Sequence, residues 1–233
     1  MTVTPHSPSA IDGRATVSPR LVTAPTCPAA VREAYHTLLI NMELALGPDK
    51  GRLIAVAALD DTAQAAPMAA NLALVAAEGG DRTLLVDGDV RTPTLHELFD
   101  AAAAPGLAQF LTGTHDDLGA LVQPTPMPNL GVIAAGVGPA RFDRLDRLGD
   151  VPAALQRLAH VADRVIVVVA PVLAGASIQR LGLHVDGVLL VLTAGRTRRV
   201  EAARAAALLQ KARVPVVGVV LASSGRHTAR MRG

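Results

Sequence analysis

Hydrophobic and polar positions change period repeatedly along this chain. Val31, Tyr35, Leu38, Leu39, Met42 and Leu46 fall at helical spacing and Gly47-Pro48 ends the run, which predicts an amphipathic helix over 31–46. Arg52 to Leu59 is a continuous apolar run of strand length. Residues 67–78 are alanine-rich and helical up to Gly79-Gly80, and 83–86 read as a second apolar strand. Short helices are expected at 95–99, 107–111 and 118–122, separated by Gly and Pro, and then a strand at 130–134. The rest alternates: helix 151–162, strand 165–169, short helix 177–184, strand 187–193, helix 198–212 and strand 214–221. Strands apolar on both faces, alternating with helices, predict an α/β fold with a three-layer parallel sheet covered by helices on both faces. Ligands of such sheets lie beyond the carboxyl ends of the strands. The segments to inspect are therefore 59–67, 87–91, 168–171 and 222 onward.

Composition divides the chain. Residues 1–28 contain Pro5, Pro8, Pro19, Pro25 and Pro28 with few large apolar side chains, so this segment is expected to be disordered. The folded domain is expected over 29–222. Residues 223–233, with Arg226, His227, Arg230 and Arg232, form a basic flexible tail that reads as a solvated end or a contact site, the former being the simpler. With 22 basic and 20 acidic residues the net charge is only +2, which gives nucleic acid little support as a partner. Cys27 is the single cysteine, which rules out an intramolecular disulfide, and the seven histidines show no close metal-ligand spacing. No metal site is expected. The start of the chain has no apolar core of a secretory signal, and the longest apolar run, 165–178, is too short to span a bilayer and is interrupted by Pro171 and Gly175. A cytoplasmic protein with no direct membrane span is the expectation.

The candidate chemistry lies where the strand 84–86 runs into Asp87-Gly88-Asp89-Val90-Arg91. Two carboxylates at a strand end suit a nucleotide with its Mg²⁺, provided that a loop of backbone N–H groups cradles the phosphates. The same residues suit a turn, in which Asp87 and Asp89 accept main-chain hydrogen bonds and pair with Arg91. No glycine-rich loop precedes them.

An ordered set of segments resembles the cytoplasmic domain of bacterial tyrosine kinases, the capsule and exopolysaccharide autokinases of the deviant-Walker P-loop ATPase fold. It comprises Glu33-Ala34-Tyr35 with Asn41, Ala69-Ala70-Asn71-Leu72-Ala73, Leu84 to Arg91 with Pro93, Leu95 and Phe99, Gly106-Leu107 and Leu111-Thr112-Gly113. It continues through Pro128-Asn129-Leu130, Gly136, Pro171-Val172-Leu173, Asp186-Gly187-Val188 and Gly218 to Leu221. The resemblance implies a P-loop NTPase-like sheet, ATP and Mg²⁺ as cofactors, and a protein partner, either a membrane chain-length regulator or a related kinase subunit. It also implies an oligomer, and a place at the inner membrane reached through that partner.

The departures from the pattern fall on the chemistry. Counting back from Asn71, the family's Gly-x-Gly-Lys-[Ser/Thr]-Thr loop corresponds to Thr62 to Pro67, which reads Thr-Ala-Gln-Ala-Ala-Pro, with Ala65 at the lysine position. Asp60 and Asp61 precede it, and a carboxylate about 5 Å from a phosphate charge costs roughly 3 kcal/mol at an effective dielectric near 20. Asp60, Asp61 or Thr62 equally suits a helix cap, and Pro67 a first helical turn. By the same resemblance Val168 stands where the Mg²⁺-linked aspartate belongs, Ser177 at a further aspartate and Ala222 at the asparagine beside the adenine. The ring-forming Glu-x-x-Arg-x-x-Arg pattern appears as Glu33, His36 and Leu39. The tail has no tyrosine, and Tyr35, the only one, reads as a packing residue within a helix.

The expectation is thus a catalytically silent member of this family, a regulatory or assembly partner in capsule or exopolysaccharide production that holds no cofactor, with Asp87, Asp89 and Arg91 as a remnant site. Two alternatives stand beside it. One is a weakly active ATP- and Mg²⁺-dependent kinase or ATPase built on those three residues. The other is a partition-ATPase-like binding module that uses the basic tail.

Overall fold

The computed structural model describes residues 18, 20–47, 51–60, 62–137, 151–174, 178, 181, 182 and 184–222. Six strands run parallel: β1 (Leu53–Ala58), β2 (Thr83–Asp87), β4 (Leu130–Ile133), β5 (Arg164–Val169), β6 (Gly187–Thr193) and β7 (Val216–Ala222). The two-residue β3 (Gln123–Pro124) pairs antiparallel with β4, and the sheet order is β3-β4-β2-β5-β1-β6-β7. The parallel sheet expected from the alternation is therefore a mixed one at its β3 edge. Two residues are too few to show a period.

Helices α1 (Ala29–Leu46), α2 (Thr62–Glu78) and α3 (Leu95–Phe99) pack on one face of the sheet, and α4 (Leu107–Leu111), α5 (Val151–Val161) and α6 (Arg199–Lys211) on the other. Every residue of β1 and β5 is buried, which is why both read as unbroken apolar runs. Ile54, Ile166 and Leu189 are wholly buried, and each such side chain contributes about 1.5–3 kcal/mol.

Two buried polar groups tie the layers together. Arg164, at the start of β5, bonds Asp81 through Nε and Nη2 at 3.0 and 2.9 Å, Glu43 of α1 at 2.5 Å, and the Gly51 carbonyl at 3.2 Å. Asn71 of α2 accepts the Val22 N–H at 2.8 Å and donates to the Arg20 carbonyl and the Tyr35 hydroxyl. Tyr35 is thereby partly buried against the α1–α2 layer, as a packing residue.

Two further expectations are corrected at their edges. Residues 20–28, assigned from composition to the disordered segment, form successive turns with Leu21, Val22 and Ala24 buried. Asn71 and the Arg32 bond to the Val22 carbonyl supply the hydrogen bonds that composition does not reveal. Helix α2 begins at Thr62 and not at residue 67, so Pro67 lies within the helix. Its ring removes the bond that residue 67 would make to the carbonyl four residues back. The short helix expected at 177–184 and the tail 223–233 lie largely or wholly outside the described residues.

Candidate functional site

β1, β2 and β5 end together, in register Asp87↔Val168 and Ala57↔Val169, so the segments singled out from the sequence meet at one end of the sheet. Asp87 closes β2 and is buried. Its Oδ1 accepts the Asp89 N–H at 3.2 Å, and its Oδ2 accepts the N–H groups of Thr94 and Leu95 at 3.0 and 3.1 Å. The carboxylate therefore holds the turn after β2 and receives the start of α3. Burial pushes its carboxyl above the ordinary carboxylate range against the pull of these three donors, and the Asp89 charge adds to the rise.

Asp89 is also buried, and both its oxygens are engaged: Oδ1 by the Arg91 N–H at 3.2 Å and Oδ2 by the Thr92 hydroxyl at 2.8 Å. Gly88 separates the two aspartates because its N–H bonds the Val168 carbonyl at 2.8 Å, and a Cβ there would come within 2.7 Å of that oxygen. The pairing of Arg91 with the carboxylates, expected from the turn reading, is corrected. Only its main-chain N–H meets Asp89, while its exposed guanidinium reaches the Ala174 carbonyl at 3.4 Å. Three sequence-adjacent residues are thus brought together as a turn, with the cation aimed elsewhere.

Opposite this turn, α2 occupies the stretch where the resemblance places a phosphate loop. Ala65 and Ala66 are completely buried in the layer that includes Val168 and Leu95. Val168 is itself 2 % exposed. Asp60 is exposed at the end of β1, and its carboxylate accepts from the Thr197 hydroxyl at 3.3–3.4 Å. Thr197, which sequence reading did not single out, also accepts the Thr193 N–H and so ties the β6–α6 loop to the loop after β1. Nothing in the local sequence signals a contact across 137 positions. Asp61 and Ser177 lie outside the described residues. Ala222 ends β7 beside Thr193. Among the described residues no group of three or more His, Cys, Asp or Glu side chains could hold a metal ion, and no helix is long and apolar enough to cross a membrane.

The sheet, with a helix leaving β1 and paired aspartates closing β2, defines a P-loop NTPase-type fold. It superposes on the kinase domain of Escherichia coli tyrosine kinase ETK with a TM-score of 0.77 at 24% identity, covering 87% of this chain and 80% of that one. No protein-family model matches the chain. Individual relatives do: it is 29% identical over 203 residues to tyrosine-protein kinase YwqD of Bacillus subtilis, covering 87% of this chain and 85% of the relative. It is 30% identical over 156 residues to the putative tyrosine-protein kinase CapB of Staphylococcus aureus, covering 66% of this chain and 67% of the relative. The chain belongs to the bacterial tyrosine-protein kinase family.

Proposed function

We propose that this chain is a silent member of that family, a kinase-fold protein that acts through its surface as a regulatory or assembly partner in capsule or exopolysaccharide production. The observation that carries the reading is the engagement of both candidate carboxylates by the turn itself, with an alanine sealed in the core where a lysine would meet phosphate. A magnesium nucleotide requires oxygen ligands and converging donors. Here four main-chain N–H groups and one hydroxyl fix the carboxylates of Asp87 and Asp89 within the turn, Val168 supplies no side-chain oxygen, and Ala65 supplies no cation. This donor set does not fit the nucleotide, and no phosphoryl-transfer step follows from it. The partner in this reading is a membrane chain-length regulator or a related kinase subunit, which would hold the chain at the cytoplasmic face of the membrane.

The test is genetic. In a strain lacking this gene, polysaccharide yield is expected to be restored equally by the wild-type chain and by Asp89→Ala, with both proteins present at the same level. The persistence of paired aspartates at the end of β2 favours the second reading, a weak ATPase or kinase. Failure of Asp89→Ala to restore yield while remaining folded would establish that reading instead.

A further inference from the structure

We infer that the outward side of α6 adsorbs to an anionic lipid surface, so that charge holds the chain against a membrane without any segment crossing it. This inference stands apart from the reading of the nucleotide site, because it uses neither Asp87 nor Asp89 and needs no partner protein.

The near-balance of charge over the whole chain conceals a division along it. Residues 1–186 carry thirteen Lys and Arg against nineteen Asp and Glu, whereas residues 187–233 carry nine against one. An asymmetry of this size points to an anionic surface as the contact of the second part. Five of the nine cations gather on and beside one helix. Arg199, Arg204 and Lys211 lie on α6, Arg198 precedes it, Arg213 follows it, and all five are exposed. None of the five forms an ion pair among the described residues. Glu201, the one acid of the second part, is half-buried and its carboxylate accepts the Arg198 N–H. Asp60 meets only the loop before the helix, where it accepts from the Thr197 hydroxyl.

The arrangement on the helix selects the occupant. α6 buries Ala205 and Leu209 in the layer against the sheet. Its outward side consists of two adjoining rows at helical spacing, Val200, Arg204, Ala207 and Lys211 beside Arg199, Ala203, Ala206 and Gln210. All eight are exposed, Val200 by 79 %. The rows set cations among aliphatic side chains along roughly 18 Å of helix, with Gln210 as their single uncharged polar group. Nucleic-acid sites add Ser, Thr, Asn and aromatic side chains to their cations for phosphate and base contacts, and these rows have none. An acidic peptide needs a groove or a strand edge to fix its register, which the convex side of a helix does not offer. A bilayer needs neither. Its anionic headgroups move to the cations, the long Arg and Lys stems lie along its surface, and Val200 with the alanines meets the acyl boundary.

The test is co-sedimentation of the full chain, without nucleotide, with phosphatidylcholine vesicles containing roughly one-third phosphatidylglycerol. Partitioning at about 0.05 M salt is expected to exceed that onto pure phosphatidylcholine by about tenfold or more, and to be lost at about 0.5 M salt. Each cation near such a surface is worth about fivefold, so the double variant Arg204→Glu with Lys211→Glu is expected to weaken binding by about twentyfold or more. Its melting temperature should stay within a degree or two of wild type, because both positions are exposed. The chain has no tryptophan, so Val200→Trp supplies a single reporter, expected to be quenched by brominated acyl chains in the anionic vesicles. Equal partitioning onto neutral and anionic vesicles would overturn the inference. So would an unquenched reporter on sedimented protein, since another surface would then be the contact. Loss of binding on changing Arg226, Arg230 and Arg232 to Gln, with none in the α6 double variant, would assign the contact to the tail. Mixed-sequence duplex DNA bound as tightly as the vesicles, and released by the α6 double variant, would assign the same cations to nucleic acid instead.

Discussion

Asp87→Ala is expected to lower the stability of the domain by about 3 kcal/mol, seen as a fall in melting temperature of roughly 6–12 °C. The size follows from what the side chain does. Three main-chain N–H groups, of Asp89, Thr94 and Leu95, bond its oxygens in a buried site, and alanine would leave all three without an acceptor. A residue kept only for magnesium or proton transfer would behave oppositely, since removing an unpaired buried charge relieves its desolvation. The pH dependence adds a second signature. Because burial raises the folded-state pKa of Asp87, the folded chain holds its proton where the unfolded chain has released it. Its titration therefore favours the folded state below the ordinary aspartate pKa of about 3.9, and this contribution is lost as pH rises through the raised value. Urea melts of wild type and Asp87→Ala over that window should differ by this slope.

The second large effect concerns position 65. Ala65→Lys is expected to cost about 4 kcal/mol and to confer no nucleotide affinity, measured by urea melting and by titration with ATP and Mg²⁺. Ala65 is fully buried in an apolar layer, so the new ammonium has no route to a phosphate without displacing α2. The residues around it are helical, so their N–H groups point along the axis of α2 and form no concave cradle of the glycine-loop kind. A variant that stays as stable as wild type and binds ATP would show that the loop opens readily and that the helix over 62–67 is only one of its states.

Most of the fold was legible because it rests on long apolar runs. β1, β5 and β6 are buried on both faces, and their Val, Ile, Leu and Ala sequences could hardly fold otherwise. What escaped reading was whatever depends on contacts distant in sequence. Five prolines marked residues 1–28 as disordered, but Leu21 and Val22 find cover on α2 through Asn71, about fifty positions away. Pro67 suggested a helix start, and the helix begins a turn and a half earlier. At the candidate site, the pairing of Asp87 and Asp89 and their use in a turn followed from the spacing Asp-Gly-Asp. The direction of Arg91 did not, because a long side chain two residues away is as free to reach Ala174 as to fold back. The contact of Thr197 with Asp60 joins two loops that only the sheet order brings together.

In the proposed reading the end of β2 holds no nucleotide. Isothermal titration of the full chain with ATP and Mg²⁺ tests it directly: no saturable heat is expected below about 1 mM nucleotide, equivalent to a binding free energy weaker than about −4 kcal/mol. Micromolar binding that disappears in Asp89→Ala would contradict it.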